Sequence, residues 1–74
     1  MDIHYQDHIE SNQGILHGKP CLKGTRIPVS LILGYLAHEY SFKAIIEEFP
    51  GVTEIQIYAC LDYARALSEF KLAV

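Results

Sequence analysis

From Val29 onwards the apolar positions of the chain follow the period of an α-helix. Val29, Ile32, Leu33, Leu36 and Tyr40 recur at steps of three and four residues, which places them on one face and predicts a first helix from Val29 to about Glu39. Leu31 and Tyr35 fall on the opposite side, where a solvated helix has no need of large apolar groups. Ser41 suits an N-cap, and Phe42, Ile45, Ile46 and Phe49 form the stripe of a short second helix that Pro50 and Gly51 stop. Thr53-Glu54-Ile55-Gln56 has the form of a capping box and opens a third helix running to about Phe70. With Ile57, Cys60, Leu61, Ala64 and Ser68 turned inwards, Ile55, Ala59, Asp62 and Ala66 face outwards, and Tyr58 and Arg65 stand at the margin.

Before Val29 that period is absent. Ile3, Ile9, Ile15 and Leu16 are scattered among histidines, aspartates and turn-forming residues, a pattern of short extended pieces. Ile9-Glu10 is expected as a brief strand and Ser11-Asn12-Gln13-Gly14 as a turn. Pro20 and Pro28 bias the residues before them towards extended geometry and bracket Lys23-Gly24-Thr25-Arg26, a tight turn in which Gly24 is free to take a positive φ. The expectation is a small hairpin with Leu22 and Ile27 inside and Lys19, Lys23 and Arg26 outside. Residues 1–28 thus make an extended arm with a short β hairpin, residues 29–74 a three-helix core, and the whole a single, mainly α domain.

Composition sharpens this picture. A chain of 74 residues buries only about 60% of its unfolded surface, yet half of these residues are hydrophobic and 20% are charged. Some of that apolar supply is expected to be covered by a partner. Net charge is −3, so any contact with nucleic acid must be local. Lys19, Lys23 and Arg26 are half of the six basic residues, and with Lys43 they are the candidate phosphate contacts. The second and third helices, with Val52 plugging the corner between them, have the form of a helix-turn-helix. The third helix is nevertheless a poor base reader, because small and apolar residues beside Asp62 cannot make bidentate bonds to guanine or adenine.

Other chemistry is excluded on similar grounds. Cys21 and Cys60 are too few for a stapled framework or a zinc site and are read as reduced core residues. His4 and His8 stand four apart, but in extended surroundings with no further ligand spaced to join them, so no metal or cofactor is expected. No nucleophile stands beside a histidine and no phosphate loop follows a strand, which argues against an enzyme. With no apolar run of about 20 residues and no signal segment, the chain is expected to be cytoplasmic and not membrane-bound.

Gly18-Lys19-Pro20, Lys23-Gly24-Thr25-Arg26-Ile27-Pro28-Val29, Tyr40-Ser41-Phe42, Phe49-Pro50-Gly51-Val52-Thr53 and Leu61-Asp62-Tyr63-Ala64 resemble the small prokaryotic domain of unknown function 433, also called VapB-type antitoxin-like. The resemblance runs from about Ile9 to Leu67, with the Lys-Gly-Thr-Arg-Ile-Pro-Val run as its specific part. It implies a homeodomain-like helical fold and the role of antitoxin to a PIN-like ribonuclease toxin. Two departures stand out: Glu39 replaces a glycine common in the family, and the chain ends soon after the third helix, where many VapB-type antitoxins continue into a toxin-wrapping tail. The expected function is therefore an antitoxin-like helix-turn-helix protein that sequesters a toxin and binds promoter DNA through its basic turns. The alternative is a dimeric protein-protein interaction module without a DNA role. Either way a homodimer is expected, with Leu31, Tyr35, Ile55, Tyr58, Ala59, Asp62 and Ala66 in or near its interface.

Overall fold

The structure is a computed structural model that describes residues 2–69. Three helices, α1 (Val29–Ala37), α2 (Phe42–Glu48) and α3 (Glu54–Ser68), follow an arm that carries two short strands, β1 (Ile9–Glu10) and β2 (Cys21–Leu22). Phe70, the expected end of the third helix and a flank of its outer face, lies outside the described residues.

Helices α2 and α3 begin where cap chemistry dictates. Ser41 Oγ accepts from the Ala44 amide at 3.1 Å and opens α2. At α3 the box is reciprocal: Thr53 Oγ1 accepts from the Gln56 amide at 3.3 Å, while Gln56 Oε1 accepts from the Thr53 amide at 2.9 Å. The end of α1 differs from the sequence expectation, since the helix stops at Ala37 rather than Glu39. Glu39 takes φ 67°, and the Tyr40 amide donates to the Tyr35 carbonyl while the Glu39 amide donates to that of Leu36, both at 3.1 Å. These two bonds are a Schellman motif with Glu39 in the left-handed position where glycine is usual.

In the arm, β1 and β2 pair antiparallel with Ile9 opposite Leu22 and Glu10 opposite Cys21, and Cys21 also bridges to Pro28. Leu22 is fully buried and Ile27 packs against the core from the other side of the Lys23–Arg26 turn, as expected of the hairpin. Thr25 staples that turn: its Oγ1 donates to the Leu22 carbonyl at 2.8 Å and accepts from the Ile27 amide at 3.0 Å. Short 3-10 turns occupy Tyr5–Asp7 and Leu16–Gly18, and in the second three successive residues, Leu16, His17 and Gly18, have positive φ.

One core joins the two halves. Ile9 and Leu22 from the arm meet Val29, Ile32, Ile45, Val52, Ile57, Ala59 and Cys60. The Tyr5–Asp7 turn packs on α3, with the Tyr5 and Tyr63 rings edge to face at 5.3 Å. This contact sets the phase of α3 and corrects the sequence reading. Ala59, expected on the outer face and in a dimer interface, is 0% exposed, whereas Leu61, expected inside, is 40% exposed. The arm covers the flank that carries Ala59 and Tyr63, so the open face of α3 turns towards Leu61 and Tyr58. Tyr35, placed by periodicity on the outer side of the first helix, is half-buried, its ring 5.4 Å from Phe49 and 4.8 Å from Tyr40. Its outward placement is corrected for the same reason: the α1–α2 turn folds aromatic rings over it. Among the described residues no helix is long and apolar enough to cross a membrane.

Candidate functional site

Lys19, Lys23, Arg26 and Lys43 are all exposed, and none takes part in an ion pair among the described residues. They sit on different elements: Lys19 just after the left-handed turn, Lys23 and Arg26 in the Thr25-stapled turn, and Lys43 in the first turn of α2. The stapled turn is not a purely basic surface, because the Glu10 carboxylate accepts from the Gly24 amide at 3.1 Å. That bond occupies a backbone donor a phosphate would use and adds a negative charge beside Lys23.

On α3, the candidate reading helix, the open face carries Glu54, Ile55, Tyr58, Leu61, Asp62 and Arg65. Tyr58 leans its ring against Phe42 of α2, 4.9 Å between centroids. Arg65 is engaged within its own helix, Nε bonding Asp62 at 2.8 Å and Nη1 bonding Glu69 at 2.7 Å. Those bonds hold its pKa above the ordinary guanidinium value. The single cation of this face is thus already matched by two carboxylates, and the ridge around Tyr58 and Leu61 is apolar. Of the other residues expected at an interface, Leu31 and Ile55 are exposed, and Asp62 and Ala66 are half-buried.

A groove of about 390 Å³ lies where the end of the arm, the start of α1 and the end of α3 converge. Pro20, Val29, Leu33, Tyr63 and Leu67 form its walls, with Lys19 and Ser30 supplying polar atoms. Sequence reasoning missed it as a site. The signal was the pair Tyr63 and Leu67, spaced four apart on the flank of α3 next to the one chosen as inner.

Among the described residues, no group of three or more His, Cys, Asp or Glu side chains comes together as a metal site. Cys21 and Cys60 are buried free thiols. Burial pushes Cys60 up to about 11, and burial together with the charge of Glu10 raises Cys21, so both stay protonated and unreactive near neutral pH.

The stapled turn, the capped start of the third helix and the apolar corner at Val52 all lie in the stretch that a family model matches, residues 9–64, described as a protein of unknown function (DUF433). The chain belongs to the DUF433 family. A crystal structure of a DUF433 member from Anabaena variabilis is similar over 86% of this chain, with 26% sequence identity and a TM-score of 0.79. The similar region spans 63% of that protein's chain. Comparison with curated proteins gives no match. The DUF433 match includes Lys19, Lys23, Arg26, Lys43 and the α3 ridge around Tyr58 and Leu61, but it stops short of Leu67 at the mouth of the groove.

Proposed function

We propose that the chain is a protein-binding module of the antitoxin kind, which takes an apolar segment of a toxin into the groove between the start of α1 and the end of α3. The observation that carries this reading is the groove itself: Pro20, Leu33, Tyr63 and Leu67, from three separate segments, line it over a floor that includes the buried Val29, with Lys19 at its edge to meet an acidic group of the partner. The partner class, a PIN-like ribonuclease, comes from the VapB-type resemblance. The reading treats α2, the turn at residues 49–53 and α3 as a homeodomain-like helix-turn-helix, and Val52, 3% exposed in the corner, supports it. Action is steric: the module covers the toxin and needs no chemistry of its own.

A second reading, binding to promoter DNA, is favoured by the exposure of Lys19, Lys23, Arg26 and Lys43. It stands behind the first because Glu10 shares the stapled turn and the α3 face offers no base reader.

The test is co-expression with a PIN-like nuclease whose reading frame adjoins that of this chain, and the lack of such a neighbour would count against the antitoxin reading. Wild type should relieve the growth arrest and co-purify with the nuclease. Ser30→Trp, at an exposed position on the groove edge, should fill the groove, abolish relief and leave the helical content unchanged. Full relief by Ser30→Trp would overturn the groove reading. A salt-sensitive shift of the promoter fragment, lost when Lys19, Lys23 and Arg26 become alanine, would favour the second reading instead.

A further inference from the structure

We infer that the Tyr5–Asp7 turn is a latch on α3 that sets the Tyr63 wall of the groove, with Tyr5 as the positioning residue. Tyr63 belongs to two arrangements at once. It lines the groove with Leu33 and Leu67, and its ring takes Tyr5 edge to face, 5.3 Å between centroids and 75° between planes. Tyr5 does not line the groove itself and reaches it through that ring.

The two sides of the groove are held by different means. On the arm side the Val29 amide donates to the Pro20 carbonyl at 3.0 Å and Cys21 bridges to Pro28, which fixes Pro20 against the start of α1. On the α3 side the half-buried ring of Tyr63 is oriented by packing, and the turn that packs on it is lightly tied. The bonds that close this turn, from the Asp7 amide to the His4 carbonyl and from the His8 amide to the Tyr5 carbonyl, both 2.9 Å, are internal to it. Its tie to the hairpin comes at His8, whose carbonyl accepts from the Lys23 amide at 2.8 Å. Among the described residues no hydrogen bond or ion pair joins residues 2–7 to α3; Ile3 and Tyr5 hold the turn there by apolar contact. A segment held in this way opens locally at less cost than a packed core. Opening need not break the pairing of β1 with β2, which begins at Ile9, but it removes the edge partner of Tyr63 and frees that ring to change rotamer. What the latch governs rests on the groove reading, since a partner segment meets a formed wall only while the turn is docked.

The latch is tested first without a partner. The chain has no tryptophan, so Ser30→Trp places a single such fluorophore at the groove. In that background Tyr5→Ala should shift the emission to the red and let acrylamide quench it more strongly, whereas Tyr5→Phe, which keeps the ring, should change neither. Thr53→Ala weakens the fold at the far end of α3 and should leave the emission as it is, which separates the latch from a general loss of stability. Beside Tyr63→Ala, Tyr5→Ala should add nothing further. Far-UV circular dichroism is read on every variant, and if Tyr5→Ala loses helix, Tyr5→Leu, which keeps apolar bulk without the ring edge, takes its place. An emission that ignores Tyr5→Ala, a Tyr5→Phe chain that behaves like Tyr5→Ala, an equal response to Thr53→Ala, or an undiminished effect beside Tyr63→Ala overturns the latch. With Ser30 restored, Tyr5→Ala should weaken nuclease binding about three- to tenfold and Tyr5→Phe should retain it. Unchanged binding by Tyr5→Ala would overturn the latch's control of the partner. A fluorescence response in a chain whose wild type gives no relief of the nuclease would retire the toxin reading and leave the latch standing.

Discussion

The arm and the helical half reach the same core by different means. In residues 29–69 the order is local: caps satisfy amides three residues away, and apolar stripes at helical spacing bring Ile32, Ile45 and Ile57 together. In residues 2–28 the turns are closed by bonds between residues two to four apart, but they form no continuous element and are held together by pairing over a longer span. Two-residue strands pair across a long loop, Thr25 replaces a regular ladder, and Leu16 and His17 accept left-handed backbone without the freedom of glycine. Yet Leu22 is as fully buried as Ile32. An irregular segment can contribute as much to the core as a helix, provided its turns are tied by side-chain hydrogen bonds.

The sharpest way to break the comparison is to remove the same volume from each half. Leu22→Ala and Ile32→Ala both empty sites with no exposure and should each cost about 2–5 kcal/mol in urea unfolding. A Leu22 variant that loses less than about 1 kcal/mol would mean that the arm detaches while the helices stay folded.

Smaller effects sharpen the distinction between the two kinds of tie. Thr25→Ala removes a partly buried hydroxyl that serves the Leu22 carbonyl and the Ile27 amide, and should cost about 1–2 kcal/mol. Thr53→Ala removes only the acceptor of an exposed cap and should cost about 1 kcal/mol. Equal midpoints for the two variants would show that the arm's staple is worth no more than an ordinary cap.

How much of this was legible in the sequence follows the same division. Ser41, Thr53 and Gln56 announce their caps because each acts on a neighbour three residues away. Leu22 and Ile27 announce their burial as the apolar residues that flank the basic turn. The phase of α3 was not legible, since Ala59 and Leu61 both suit a helix interior and the choice is made by Tyr5, far away in the chain, packing on Tyr63. The groove was hidden for the same reason: its walls come from residues 19–20, 29–33 and 63–67, which only the fold assembles. The early stop of α1 was masked by the residue at position 39, where a glycine would have marked the turn.

That residue supplies the finest comparison. Glu39 closes the Schellman motif of α1 at φ 67°, and His17 holds φ 55° in the arm. Both are exposed, and among the described residues neither side chain makes a hydrogen bond. A left-handed conformation costs an ordinary residue about 1–2 kcal/mol. Glycine removes that cost but adds about 0.5–1 kcal/mol of chain entropy to the unfolded state. Glu39→Gly should therefore gain about 0.5 kcal/mol, a rise in melting temperature of about 2–4 °C for a domain of this size. Glu39→Ala retains the β-carbon and should not show this gain. His17→Gly should match Glu39→Gly if strain is simply a property of the residue's own backbone. A smaller gain in the arm would mean that its neighbours Leu16 and Gly18, also left-handed, share the strain, so that relief at one position leaves the turn as a whole under load. If Glu39→Gly lowers the melting temperature, the carboxylate at position 39 contributes something its exposed position does not reveal, and departure from glycine there would be an adaptation rather than a tolerated cost.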